Sequence, residues 1–386
     1  MYDVLVVGGG PAGCATAIHL ARRGRRVVLI ERTNEPQRKA CGEGLFPVGV
    51  AELERLGVLD EVRTGSAEID GLRFHAGGNV AEARLGLDRH GALATRRGAL
   101  EGVLAEAATR AGVEIKRGLV VESFLVSNGR VAGVHLRGST ETVAARVIVG
   151  ADGLHSRVRA LVGLDGSRRG NRYGVSAHVR MGGGPRRFVE VYFERGYELY
   201  LTPAGDGIVN VAVLLRKPAM RQFAGRLNEG FAEFLSGHRA IESGFEIVDA
   251  PLAAGPFAAT ARRSWRANVL LVGDAAGFFD GISGEGMALA LRTGGLAAEA
   301  IGEHLVSGSH EPFRAYERVQ RAMRRNSGLL ARMSLLLGHN ERVARFAVGR
   351  LASNPGAFTS LTAISGGERG WGSLRPRDIA GLLLGF

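Results

Sequence analysis

Asp3-Val4-Leu5-Val6-Val7-Gly8-Gly9-Gly10-Pro11-Ala12-Gly13, with Arg26-Val27-Val28-Leu29-Ile30-Glu31 after it, decides the fold of this 386-residue chain. The run Asp3 to Val7 is apolar and too short for a helix, so it reads as a buried parallel strand closed by a GxGxxG turn. Gly8 allows the tight turn. Gly10 lacks a side chain, so a pyrophosphate can approach the backbone, and Gly13 lets the next helix pack closely on the strand. That helix, expected over Ala12 to Arg23, begins with free N–H groups and the positive end of its dipole facing the phosphates. Gly24 ends it, and Arg26 to Ile30 forms the next parallel strand with Glu31 at its tip. A carboxylate there accepts hydrogen bonds from an adenosine ribose and repels any phosphate on that ribose. Gly182-Gly183-Gly184-Pro185 repeats the same letters, but a strand pattern and no helix follows it, so it reads as a hairpin turn.

Two further glycine segments follow strand-like runs far along the chain. Gly150-Ala151-Asp152-Gly153 comes after Ala145 to Val149, and Gly273-Asp274-Ala275-Ala276 comes after Asn268 to Val272 and runs into Gly284-Glu285-Gly286. Between them, Tyr173 to Leu215 reads mostly as strands, Met220 to Leu235 as a helix, and 273–352 as helices. The expected architecture is α/β with an α+β insert: a doubly wound, Rossmann-like dinucleotide domain, an inserted and mostly antiparallel substrate sheet, and a helical C-terminal cap. The boundaries expected are 1–65, 92–165 and 262–310 for the dinucleotide domain, 66–91 and 166–261 for the sheet, and 311–386 for the cap.

Composition narrows the classes of function. Hydrophobic residues make up 45% of the chain, and no apolar run approaches the roughly 18 residues of a membrane span. The N-terminus enters its first strand at once, which leaves no room for a signal peptide and makes cytoplasmic function the expectation. Cys14 and Cys41 are the only cysteines, without CxxC spacing for a redox centre or a zinc site. The formal charge of +12 comes almost entirely from arginine, which favours anionic partners such as pyridine nucleotide or acidic lipid. The arginines are scattered and no nucleic-acid motif accompanies them, so a nucleic-acid partner is not expected. Leu329, Leu330, Met333, Leu336 and Leu337, and the tail Ile379 to Phe386, read first as packed helix faces. Peripheral contact with an anionic membrane is the alternative.

Gly150 to Arg159 and Leu271 to Ala276 resemble the second and third fingerprints of the para-hydroxybenzoate-hydroxylase-like FAD oxidoreductases. That superfamily includes single-component flavin monooxygenases and geranylgeranyl reductases, and the resemblance spans roughly residues 1 to 300. It implies FAD as the cofactor, with NADH or NADPH as a transient electron donor. It also implies that Asp274 holds a ribitol hydroxyl and that the helix opening at Gly284, Gly286 and Met287 aims backbone N–H groups at the flavin pyrimidine edge. Arg97, in Arg97-Gly98-Ala99-Leu100, resembles the family's arginine near the FAD phosphates. Gly8, Gly10, Ala12, Gly13, Glu31, Val121, Gly153 and Gly273 complete the cofactor set with Asp152, whose carboxylate serves equally well as a cap on the following helix.

Lys39-Ala40-Cys41-Gly42-Glu43-Gly44-Leu45 resembles the CGxG loop of geranylgeranyl reductases, which puts Cys41, Gly42 and Gly44 beside the flavin and makes Cys41 the candidate catalytic residue. A thiol next to Lys39 in a positive cleft has a lowered pKa; equally, Cys41 serves as a small apolar packing residue. Where those reductases carry an aromatic-rich strand ending in Phe-Pro, this chain has Tyr197-Glu198-Leu199-Tyr200-Leu201-Thr202-Pro203. It also has Asp280 where they have Pro before the glycine turn, and it lacks the His and Pro that monooxygenases carry after Gly273-Asp274. Tyr192 and Tyr200, on the inserted sheet, are the candidate substrate-facing residues. The resemblance implies an FAD-dependent oxidoreductase acting on a hydrophobic small molecule. Hydroxylation or epoxidation by a flavin monooxygenase is the preferred reaction, and saturation of prenyl carbon–carbon double bonds is the alternative.

Overall fold

The computed structural model describes residues 1–36, 38–86, 90–127, 129–168, 170–182, 186–241, 244–281, 284–338, 340–376 and 378. The first strand, Tyr2–Val7, lies between Val27–Ile30 on one side and Thr142–Gly150 on the other, parallel to both. Val269–Leu271 and Glu114–Lys116 extend the same parallel sheet outward, and Trp265–Arg266 closes one edge antiparallel. Val4, Leu5 and Val6 are fully buried, as a strand covered on both faces requires. On one face the helices Pro11–Ala21, Arg97–Arg110 and Gly286–Ser307 share a core with Val4, Val6, Val147 and Leu270. The other face packs under the hairpin Val121–Ser127 and Arg130–Leu136 through Val121, Val134 and Leu136.

The second sheet runs Glu246–Ile247, Arg172–Arg180, Ile208–Arg216, Tyr197–Pro203, Phe188–Glu194, Gly71–Ala76, Asn79–Arg84. Its pairings are antiparallel except that Phe188–Glu194 runs parallel to Gly71–Ala76. One face carries Val175, Leu199, Val211 and Val213 against Phe231 and Leu235. Val189, Val191 and Phe193 lie on the opposite face, toward Ala344, Val348 and Phe358 of the C-terminal helices.

Two helical expectations need correction. Met220 to Leu235 is not one helix: Lys217–Met220 passes through a 3₁₀ turn, Arg221–Phe223, and a new helix starts at Leu227. Gly225 between them has φ +73°, which lets the chain turn out of the helix at no steric cost. Nor do helices begin directly after Val272. Gly273–Ala276 is a 3₁₀ turn, and Gly277–Phe278 pairs with Ala259–Ala261 as a short strand. Helices then occupy Gly286–Ser307, Glu311–Leu337, Glu341–Ser353 and, past the expected end, Pro355–Ser365. The Gly183 to Pro185 part of the expected hairpin turn, the tail Ile379 to Phe386, and the side chains of Leu329, Leu330, Met333 and Leu336 lie outside what is described; Leu337 packs against the second sheet's core.

Candidate cofactor and active site

The glycine turn after the first strand is built for contact. A Cβ on Gly13 would stand 1.9 Å from Gly8 O, so this glycine is what lets the helix sit on the strand. A Cβ on Gly10 would approach nothing closer than Arg97 Nη2, at 3.5 Å, and would stand in the space lined by Gly10 and Arg97. Glu31 accepts from Gly9 N at 2.7 Å and from Thr33 N and Oγ1 at 3.1 and 3.0 Å. Burial raises the Glu31 pKa, but these bonds outweigh it and hold the carboxyl below its ordinary value.

The three glycine segments converge on one cavity of about 1390 Å³, larger than the roughly 300–1,000 Å³ of a drug-sized site. Gly8, Gly10, Ala12, Glu31, Cys41, Gly42, Gly44, Arg97, Val121, Asp152, Gly153, Asp274, Gly284, Gly286, Met287 and Tyr200 all line it. Gly13 and Gly273 stand behind the wall as packing positions; a Cβ on Gly273 would meet Ala12 Cβ at 2.8 Å. Arg159, fully buried, ties the second segment to the third. Its Nη1 donates to Ala275 O at 2.9 Å, its Nη2 to Leu154 O at 3.0 Å, and its Nε pairs with Asp165 at 2.8 Å.

These residues fit a flavin dinucleotide. The uncovered cradle at Gly10 would accept a pyrophosphate, and Glu31 still lines the cavity where an adenosine ribose would lie. The Asp274 carboxyl accepts no hydrogen bond from the described residues, and burial raises its pKa against the pull of Arg97 and Lys39. A hydroxyl of a bound flavin would find an acceptor there. Arg97 is half-buried beside Gly10, with Nε on Glu101 Oε1 at 2.7 Å. The Asp152 carboxylate is engaged in the second way the sequence allowed: it accepts from Arg157 N at 2.7 Å and Val158 N at 3.0 Å, capping the Arg157–Leu161 helix.

Two expectations are corrected here. Tyr192 does not face the cavity. In the antiparallel register Tyr192 opposes Leu199 and Tyr200 opposes Val191, so the two tyrosines fall on opposite faces of the sheet. Tyr192 stacks on His75 at 4.2 Å, whereas Tyr200 lines the cavity and burial raises its pKa well above the ordinary value. The Cys41 thiol is not activated by Lys39, whose Nζ lies 3.7 Å from Glu101 Oε1 instead. Burial pushes the Cys41 pKa up, Arg97 opposing with less effect. The thiol sits on the cavity wall, Sγ accepting from Glu43 N at 3.4 Å.

Sequence reasoning passed over two charged clusters. Glu43, with φ +60°, accepts from Arg97 N at 2.9 Å and meets His178 Nε2 at 2.8 Å, while His178 Nδ1 meets Asp249 Oδ2 at 2.7 Å. Together with Ser176 Oγ and Asn210, which bond the Cys41 backbone, this clamps the Cys41 loop to the second sheet. Deeper, Arg172 spans Glu198, at 3.0 and 2.5 Å, and Asp280, at 3.0 Å. The signal for the first cluster was Glu43 itself, inside the Cys41-Gly42-Glu43-Gly44 loop; the partners of both are distant in sequence.

Comparison with known proteins agrees with this geometry. The FAD binding domain family matches residues 1–326. The chain belongs to that family. It is an FAD-dependent oxidoreductase of the para-hydroxybenzoate-hydroxylase-like superfamily. It is 31% identical over 325 residues to the menaquinone reductase of Mycolicibacterium smegmatis, covering 78% of this chain and 76% of that one. It is 28% identical over 359 residues to the digeranylgeranylglycerophospholipid reductase of Methanosarcina mazei, covering 87% and 84%. The fold matches a flavin-dependent brominase with TM-score 0.80 at 19% identity, over 95% of this chain and 93% of that one. It matches a geranylgeranyl bacteriochlorophyll reductase-like protein from Thermoplasma acidophilum with TM-score 0.76 at 20% identity, over 99% and 95%.

Proposed function

We propose that this FAD-dependent oxidoreductase is a reductase that saturates carbon–carbon double bonds of a hydrophobic, isoprenoid-bearing substrate, with NADH or NADPH visiting transiently to reduce the flavin. The observation that carries the reading is Cys41: a thiol kept protonated by burial, on the wall of the cavity that also holds the cofactor residues. A double-bond reductase needs a proton for the carbon that does not take the hydride, and a protonated thiol on the cavity wall would supply it. Bound FAD supplies hydride chemistry in its reduced form. The protein's own groups do the rest.

The Gly286–Ser307 helix starts at the cavity wall with Gly286 and Met287, where the positive end of its dipole would stabilise negative charge on a bound ring. Phe74, Val191, Phe193, Leu214, Phe257 and Phe358 make the remaining chamber apolar and exclude water from a bound chain. The relatives support the same choice. Both named reductases act, by their names, on lipids, and geranylgeranyl chains carry the double bonds that such chemistry would saturate. This reverses the preference for oxygen activation that the Gly150 to Arg159 stretch and the altered Tyr197 to Pro203 strand suggested. Hydroxylation stays as the second reading on the strength of the Gly150 to Arg159 segment. The test is Cys41→Ala in the FAD-loaded enzyme: the reductase reading expects a loss of about 10²- to 10⁴-fold in turnover with FAD content unchanged. Retention of full turnover would contradict it.

A further inference from the structure

We propose that the Glu341–Ser353 helix rests on an anionic lipid bilayer and opens the apolar chamber to it. Ala344 and Val348, both fully buried, fix one face of this helix against the second sheet. Val343, Phe346, Ala347 and Arg350, at the i, i+3, i+4, i+7 spacing of another face, line the cavity. Yet Phe346 is 67% exposed and Val343 42% exposed. A stripe that belongs to the cavity wall and still faces solvent is the rim of an opening.

The rim is cationic. Arg342 and Arg345 are exposed beside Phe346, and with Asn79, Gly349 and Arg350 they line a shallow cleft against it. Among the described residues no carboxylate pairs with the guanidinium of Arg342 or Arg345. The aliphatic stem of Arg345 lies along Gly77, which leaves its head free to turn outward. An aromatic and an aliphatic tip flanked by unpaired arginines is the pattern of a helix lying in a lipid interface, with apolar tips among acyl chains and cations among anionic headgroups. The charge of +12 acts in the same direction. No helix among the described residues is long and apolar enough to cross a membrane, so the contact is peripheral. Geometry also supplies the purpose: an apolar guest that leaves the bilayer at Phe346 enters the chamber past Ala347 and Leu351 without crossing water.

The inference rests on the hydrophobic-substrate reading, but vesicle binding is measured without turnover, so failure of the reductase reading and failure of this one are distinct. The FAD-loaded protein is sedimented with sucrose-filled vesicles of phosphatidylcholine alone or with phosphatidylglycerol added. At low salt, binding to the phosphatidylglycerol vesicles is expected to exceed binding to phosphatidylcholine at least about tenfold. Phe346→Ser, and separately Arg342→Glu with Arg345→Glu, should each lower it about tenfold while FAD absorbance and thermal unfolding stay unchanged; Phe346→Trp should restore it. Wild-type protein that ignores the anionic vesicles would overturn the proposal. So would variants that bind as wild type does, or a Phe346→Ser change that only converts a dimer to a monomer, since that face would then belong to a second copy.

Discussion

His178 Nε2 lies 2.8 Å from Glu43 Oε2, so one imidazole of the second sheet holds the loop that carries Cys41. On its other side His178 meets Asp249, which Arg38 also contacts at 2.7 Å. Burial alone would lower the His178 pKa, but Glu43 and Asp249 outweigh it and raise the value above 6.5. The clamp is strongest with the imidazole charged.

A pH dependence follows from that sign. A histidine whose folded pKa is raised contributes stability that is complete below its unfolded value of about 6.5 and is lost as pH rises through the folded value. Urea unfolding midpoints should therefore fall as pH rises from about 6.5 through the raised folded value, and His178→Ala should flatten that part of the profile. Because Glu43 is only 6% exposed, the variant leaves a buried carboxylate short of a partner, at a cost of about 3 kcal/mol near pH 6. An unchanged midpoint and slope in His178→Ala would refute the clamp.

The glycine cradle separates binding from folding. Gly10→Val projects into the cofactor space and should give a folded protein without FAD, measured by absorbance near the flavin band and by thermal unfolding. Gly13→Val forces a side chain onto Gly8 O, 1.9 Å from where its Cβ would be, and should not yield folded protein. Full FAD occupancy in Gly10→Val would contradict the assignment of the cradle.

The strand–turn–helix at Asp3 to Gly13, Glu31 and the two later glycine segments were legible because each is local: turn chemistry, strand length and helix start sit within a few residues of one another. The face of Tyr192 was not, since it depends on pairing Tyr192 with Leu199 across a hairpin, and a register shift by one residue would have reversed it. The Cys41 environment stayed open between an activated thiol and a packing residue for a similar reason. Lys39 is adjacent in sequence, but Glu101 captures it and burial decides the thiol. The clamp at His178 and the ion cluster at Arg172 join residues tens to hundreds of positions apart, which no motif encodes.

The Arg172 cluster should prove costly to break. Glu198 is fully buried and Asp280 6% exposed, and the Arg172 guanidinium pairs with both. Arg172→Met is expected to lose about 3–5 kcal/mol in urea unfolding, because two buried carboxylates lose their cation. Glu198→Gln, which keeps an acceptor for Arg172, should lose less. Equal losses in the two variants would show that the charge balance is not what holds this corner.

The proposal that the cavity serves double-bond reduction meets its most direct test in the oxygen requirement and mass of the product. FAD-loaded enzyme, NADH or NADPH, and a geranylgeranyl-bearing lipid are incubated under argon and in air, and the lipid is analysed by mass spectrometry. The account predicts a gain of two hydrogens for each double bond saturated, formed under argon at a rate no lower than in air. Product that forms only in air and carries an added oxygen would contradict it and restore the monooxygenase reading.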